Sequence, residues 1–115
     1  MPKPIKKFII RKNSTAQWVE IVPDSGIEFK IKRALRNDVI KLSIEVESKG
    51  VKLDDYIREW ALEDWKPKEA LIDEEGNEPT KADIFNDPLF GNALDSYIFG
   101  QWHEVQKQVE DELKN

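Results

Sequence analysis

The residues that could perform chemistry are few in this sequence, and their spacing does not favour catalysis. His103 is the only histidine, and histidine is the side chain whose ordinary pKa suits a general base near neutral pH. It lies beside a stripe of apolar residues at helical spacing, where we expect a surface or boundary histidine. No serine lies in a G-x-S-x-G motif, and the adjacent carboxylates of Glu63 and Asp64 would point to different faces of a helix. The sequence therefore predicts that the protein is not an enzyme and has no catalytic residue.

The acidic stretch 73–78 is a candidate cation site, but its spacing does not fit one. An EF-hand loop needs oxygen ligands at its first, third and fifth positions, glycine at the sixth and glutamate at the twelfth. If Gly76 takes the sixth position, Leu71 takes the first and Ala82 the twelfth. There is no cysteine, and a single histidine excludes multi-histidine sites. The glycines occur singly, so no glycine-rich phosphate loop is present. We therefore predict a turn here, and neither a metal nor a cofactor.

The chain of 115 residues is expected to form one domain, because this length suits a single modest core. Apolar residues make up 39% and charged residues 36%, so the core must be small and the surface densely charged. No apolar run approaches the roughly 20 residues of a membrane span. The start, Met-Pro-Lys-Pro, lacks the apolar segment of a signal peptide. We therefore expect a cytoplasmic protein that does not bind membranes.

Charge is distributed unevenly along the chain. Residues 1–41 carry ten Lys/Arg and four acids, a net charge of +6, whereas the remaining 74 residues carry eight bases and nineteen acids, a net charge of −11. Either the two parts pack together within the domain, or this polarity steers association with an oppositely charged surface. Nucleic-acid binding is disfavoured, because the chain as a whole has a net charge of −5.

The first 33 residues are expected to be rich in β-structure. Ile27, Phe29 and Ile31 alternate with charged residues, which is the period-2 pattern of a strand with one buried face. The β-forming run 17–22 precedes them, and Pro23-Asp24-Ser25-Gly26 supplies a turn between the two. This pattern predicts a β-hairpin. The segment Ile5 to Arg11 could add a third strand.

The segment 33–49 has two interpretations. Alternation of Ile40, Leu42, Ile44 and Val46 with polar residues favours a strand, whereas Leu35, Val39, Leu42 and Val46 share one face of a helix. We favour the helix. Asn37 or Asp38 would cap its N-terminus, and Gly50 would end it.

Residues 34–115 are expected to be mainly helical. One helix begins near Asp54-Asp55 and continues to Lys66-Pro67, and a capping box of Thr80 and Asp83 begins a short helix that ends near Asn86. Asp87-Pro88 begins the final helix, in which Gly100 indicates a close approach or a bend. The predicted fold class is α+β, with an N-terminal antiparallel hairpin or three-stranded sheet followed by three to four helices.

Large aromatic residues and the end of the final helix are the best candidates for a protein-binding surface. The sequence has four tryptophans, a residue type that contributes strongly to interface energetics. Apolar positions also continue to Leu113, beyond the point where so small a protein has elements to cover them, which predicts helix-in-groove or oligomer contacts. A frayed charged tail is the alternative. The candidate partner-binding residues are Trp60, Trp65, Tyr97, Trp102, Val105, Val109 and Leu113.

The order of these features resembles the tail assembly chaperones of long-tailed bacteriophages. A Trp-containing hairpin runs from Trp18 through Gly26 to a basic strand that ends at Arg33. A helix follows from Arg36 to Val46, and then a helix that leads into a junction from Trp60 to Trp65. The segment 72–80, with the pattern apolar, Asp, acid, acid, Gly, x, x, Pro, Thr, is the part most like the family. With a short helix and a final helix from Pro88, the resemblance covers residues 18–105.

This resemblance implies a protein without an active site. Such a chaperone would bind the tape-measure protein during tail assembly, keep its long apolar helices soluble, and help to recruit tail-tube subunits. Formation of a homo-oligomer is compatible with the same features. Three other functions stay open: a head–tail joining protein, a small acidic inhibitor that mimics nucleic acid, and a DNA-binding regulator that uses the basic N-terminal residues.

Overall fold

The protein has an α+β fold, as the sequence predicts. The computed structural model describes residues 4–8, 10 and 12–114, with side chains as far as residue 112. The strands form one antiparallel sheet in the order β1-β2-β3. In chain order the elements are β1 (Ala16–Val19), β2 (Glu28–Lys32), α1 (Arg36–Lys49), α2 (Leu53–Ala61), β3 (Leu62–Lys66), a 3₁₀ turn (Lys68–Ala70), α3 (Lys81–Asn86) and α4 (Phe90–Lys114).

The predicted hairpin is confirmed. Strands β1 and β2 pair with Trp18 opposite Lys30. The turn between them is closed by a hydrogen bond of 3.2 Å from the Ser25 amide to the Val22 carbonyl, and Gly26 adopts a positive φ of 74°. Alternation has its expected effect, because the apolar residues of β2 are buried and the intervening lysines lie on the opposite face of the sheet.

The third strand is not the predicted one. Residues 4–8 and 10 lie outside any strand, and Ile5, Phe8 and Ile10 are each more than 80% exposed. Residues 9 and 11 of the predicted strand lie outside the described part of the chain. The spacing explains the failure, since Ile5 and Phe8 are an odd number of residues apart and would lie on opposite faces of a strand. The third strand is β3, which follows α2.

Helix α2 ends at Ala61, and the prediction that it continues to Lys66 is wrong. The cause is a β-bulge: Lys30 pairs with Asp64 and Ile31 pairs with Leu62, so Glu63 is an extra residue on β3. A bulge allows Leu62 and Trp65, three residues apart, to face the same side, and both are buried. This spacing is the same as that of a helix face, which is why the sequence pattern indicates a helix.

Helix α1 confirms the helical interpretation of 33–49. Val39 and Leu42 are buried, and the helix ends where Gly50 adopts a φ of 65° and donates its amide to the Val46 carbonyl at 2.9 Å. The start differs slightly from the prediction. Leu35 is the N-cap residue, and the Asp38 carboxylate accepts its backbone amide at 2.8 Å.

Helices α3 and α4 begin at the predicted capping residues. Thr80 and Asp83 form a reciprocal capping box, in which the Thr80 hydroxyl accepts the Asp83 amide at 3.1 Å and the Asp83 carboxylate accepts the Thr80 amide at 2.9 Å. The Asp87 carboxylate accepts the amides of Leu89 and Phe90 at 3.0 and 2.8 Å.

The glycine at a close approach is Gly91, not Gly100. Nothing lies within 4 Å of a Cβ placed on Gly100, so no close approach occurs at the predicted position. A Cβ on Gly91 would overlap the Phe85 carbonyl oxygen and lie 2.6 Å from its carbon. The absence of a side chain at Gly91 therefore allows α4 to start against the end of α3.

Replacement of Gly91 with alanine is expected to destabilise the protein by about 1–3 kcal/mol. The added methyl group meets backbone atoms, which cannot move aside as a flexible side chain could. Chemical denaturation of the full chain measures this loss, and Gly100→Ala is the matched control. The control should be neutral or stabilising, because Ala favours a helix over Gly by roughly 1 kcal/mol. Equal effects at the two positions would contradict this interpretation.

One hydrophobic cluster joins the sheet to the helices. Its largest fully buried side chains are Trp102, Phe29, Ile57, Leu62 and Leu94, which come from the sheet, α2 and α4. The rings of Phe29 and Phe90 lie 6.0 Å apart, so the first residue of α4 lies against the buried face of β2. Among the described residues, no helix has the length and apolar character needed to cross a lipid bilayer.

Candidate protein-interaction surfaces

Three of the seven predicted partner-binding residues lie in the core. Trp65, Trp102 and Val109 are buried, so in this conformation they present almost no surface to a partner. The Trp102 ring packs edge-on against Trp60, with centroids 6.3 Å apart and an angle of 74° between the planes. The stripe along α4 that the spacing predicts is therefore mainly the side of the helix that packs against the other helices and the core.

The other predicted residues have partial exposure or lie outside the described side chains. Trp60, Tyr97 and Val105 are half-buried and pack against the core cluster. The side chain of Leu113 lies outside the described part of the structure, and the binding role of all seven residues stays a prediction.

A different apolar surface lies on the outer face of α1. Ile40, Ile44 and Val51 are 41%, 62% and 45% exposed. Ile40 and Ile44 are four residues apart in α1 and therefore share one side of the helix, and Val51 directly follows the glycine that ends it. We call this set the α1 stripe. Sequence reasoning missed it, although a signal was present. Ile40 and Ile44 supplied the alternation that favoured a strand, and in a helix both lie off the face that Val39 and Leu42 share.

Contacts with two neighbouring helices hold α1, and therefore the α1 stripe, in place. Tyr56 of α2 donates its hydroxyl to Glu45 of α1 at 2.6 Å and accepts a hydrogen bond from the Lys49 ammonium group at 3.0 Å. The bond to Tyr56 is the main cause that raises the pKa of Lys49. At the other end of α1, Arg36 forms an ion pair with Glu112 of α4. These contacts join α1 to two neighbouring helices and fix the direction in which its stripe points.

Arg58 joins α2 to α4 and is a structural residue rather than a free binding group. Its Nε and Nη2 atoms donate to the two carboxylate oxygens of Asp95 at 2.9 and 3.1 Å, and Nη1 donates to Asp55 at 3.0 Å. The guanidinium carbon lies 5.1 Å from the centre of the Phe99 ring. The bond to Asp95 is the largest cause of the raised pKa of Arg58. Three of the five N–H donors of this arginine, at least one on each nitrogen, are thus engaged within the protein.

The outer face of the sheet carries one exposed tryptophan and a set of paired charges. Trp18 is 37% exposed, and the Lys66 ammonium group lies 4.1 Å from the centre of its ring. Lys30 and Lys32 lie 3.6 and 3.5 Å from the Glu63 carboxylate, which projects from the bulge. Their positive charge is therefore partly balanced within the protein itself.

Acidic residues line a groove near the start of α4. It has a volume of about 710 Å³ and lies between the loop 71–79 and the start of α4. The loop is the predicted turn, since the Asp73 carboxylate accepts the amides of Glu75 and Asn77 at 2.9 Å each and Gly76 adopts a φ of 83°. Within the described ranges, no group of three or more His, Cys, Asp or Glu side chains is arranged to hold a metal ion.

His103 is exposed on α4, as the sequence predicts for a surface histidine. Its Nδ1 atom lies 3.3 Å from the Gln106 amide oxygen, and its ring lies 6.1 Å from the Phe99 ring. Comparison of the chain with protein-family models, with curated proteins and with solved structures finds no match. The function is therefore inferred from the surfaces of the protein itself.

Proposed function

We propose that this protein is a non-catalytic assembly chaperone of long-tailed bacteriophages, which binds the tape-measure protein and aids assembly of the tail tube in the cytoplasm of the host. The observation that carries the proposal is the α1 stripe, an apolar patch on a helix whose other exposed residues are charged or polar. Isolated apolar side chains on a surface need no explanation, but two on one side of a helix, with a third just after its end, form a suitable contact surface for another polypeptide.

The geometry of the stripe suits a helical partner. The spacing of four residues between Ile40 and Ile44 is one at which side chains of one helix meet the grooves of another. A tape-measure protein is expected to have long apolar helices, and these would offer many such helical surfaces for binding. The contacts of Arg36 and Tyr56 hold α1 in place before a partner arrives, so little conformational entropy is lost when the surfaces meet.

The charged surface around the α1 stripe would keep the bound partner soluble. Lys41, Glu47 and Ser48 are exposed beside the apolar residues of α1. A partner helix covered on its apolar side by this face would present charged groups of the chaperone to water in place of its own apolar side chains. Such an exchange keeps the partner soluble until tail-tube subunits displace the chaperone.

Co-expression with the tape-measure protein from the same genome tests the proposal. We expect the two proteins to co-purify and the soluble fraction of the tape-measure protein to increase. Failure of both would reject the proposal. Mass spectrometry of finished virions supplies a second readout, because an assembly chaperone should be absent from them, whereas a head–tail joining protein would be present.

A further inference from the structure

The acidic groove has the composition of a peptide-binding site rather than of an ordinary charged surface. Leu71, Ile72 and Phe90 contribute apolar surface to it, and Ile72 is 64% exposed. Five of the residues that line it are acidic and none is a lysine or arginine. A segment that combines apolar side chains with positive charge would therefore bury its apolar side chains and pair its charges in this groove.

The acidic charges of the groove are held in place by the local fold. Asp73 closes the turn of the loop, and Asp83 and Asp87 cap α3 and α4 with the hydrogen bonds given above. The bonds from Thr80 lower the pKa of the Asp83 carboxyl, so this group stays ionised. Glu74 and Glu75 are exposed on the rim. The groove thus presents a fixed negative field above an apolar surface.

The N-terminal part of the same chain has the complementary composition. Its described apolar side chains, Ile5, Phe8 and Ile10, are each more than 80% exposed, and Lys6 and Lys7 stand between them. Residues 1–12 contain five Lys/Arg and no acid, whereas the rest of the chain has a net charge of −10. Apolar side chains with this much exposure are unfavourable in water, so their burial against another apolar surface would stabilise the contact.

We propose that the acidic groove binds the N-terminal segment, residues 4–12, of a second copy of the chain. Reciprocal exchange, in which each copy places its segment in the groove of the other, gives a closed two-fold dimer with both grooves filled. Nine extended residues span about 30 Å, enough for the segment to reach a neighbouring subunit. This surface is separate from the α1 stripe, so the inference stands or falls independently of the proposed function.

Sedimentation velocity of the full chain over a range of concentrations tests the proposal, with charge reversal on each side of the contact. We expect a dimer whose dissociation constant increases with salt. Lys6→Glu/Lys7→Glu and Glu74→Lys/Glu75→Lys should each weaken the dimer by about tenfold or more. The four substitutions combined in one chain should restore the dimer. All four side chains are exposed, so the fold should tolerate their replacement.

The matched control is Glu104→Lys/Glu110→Lys, which makes the same change of charge at exposed positions of α4. It should leave the dimer unaffected. A chain that is monomeric at all concentrations would overturn the proposal, and so would a dimer that neither reversal weakens. Nuclear magnetic resonance distinguishes binding of the segment within one chain from binding between two copies. If the segment variant shifts groove signals in a monomer, the groove holds the segment of its own chain, and the second copy is excluded.

Discussion

Trp102→Ala is expected to reduce the free energy of unfolding by about 3–5 kcal/mol. Trp102 is 1% exposed and is the largest of the fully buried side chains. Its loss would remove the edge-on contact with Trp60 and leave a cavity between α4 and α2, which the surrounding backbone can only partly fill. Since domains of this size have total stabilities of roughly 5–15 kcal/mol, the variant would lose a large part of its stability. Urea denaturation followed by circular dichroism measures the change.

Trp18→Ala is the matched control, because it deletes the same side chain from the outer face of the sheet. We expect a loss of about 1 kcal/mol or less, mainly from the cation–π contact with Lys66. Equal losses at the two positions would show that Trp102 is not the centre of the core. Trp102 would then again be a candidate partner-binding residue.

Ile40→Ser/Ile44→Ser is expected to abolish co-purification with the tape-measure protein while the protein stays folded. Loss of two central apolar anchors from a helix-in-groove contact should weaken binding by about tenfold or more. Serine and isoleucine have similar helix propensities, and both side chains lie off the buried face of α1, so stability should change by less than about 1 kcal/mol. Pull-down from co-expressing cells measures binding, and thermal unfolding measures stability.

Lys41→Ser/Glu47→Ser is the control for this experiment. Both residues are exposed on α1, and both replacements introduce the same residue type without removal of an apolar group. This variant should retain the partner. If the Ile40/Ile44 variant also retains it at the level of the unchanged chain, the α1 stripe is not the binding surface.

Local signals in the sequence predict the parts of the fold that local interactions form. The turn at Pro23–Gly26, the capping box of Thr80 and Asp83, and the glycine that ends α1 each depend on residues within a few positions of one another. The structure has all three at the predicted places. Strand β3 could not be predicted in this way, since its bulge depends on pairing with β2, more than thirty residues earlier.

The candidate surface was harder to predict than the fold, and for a physical reason. An apolar stripe along a helix has the same spacing whether it faces a core or a partner. Trp102 and Val109 belong to the first kind, because both are buried and the other helices pack against α4. Ile40 and Ile44 belong to the second, and only the placement of α1 on its Val39 side distinguishes them. The sequence shows which residues are apolar, but not which element covers them.

The central claim is that this protein acts by presenting the α1 stripe to another polypeptide. Hydrogen–deuterium exchange of the full chain, alone and bound to the tape-measure protein, tests this claim most directly. We predict slower exchange across α1 and the following residues to Val51 in the complex, with the outer face of the sheet unchanged. A complex that forms while exchange in α1 stays the same as in the free protein would contradict the claim.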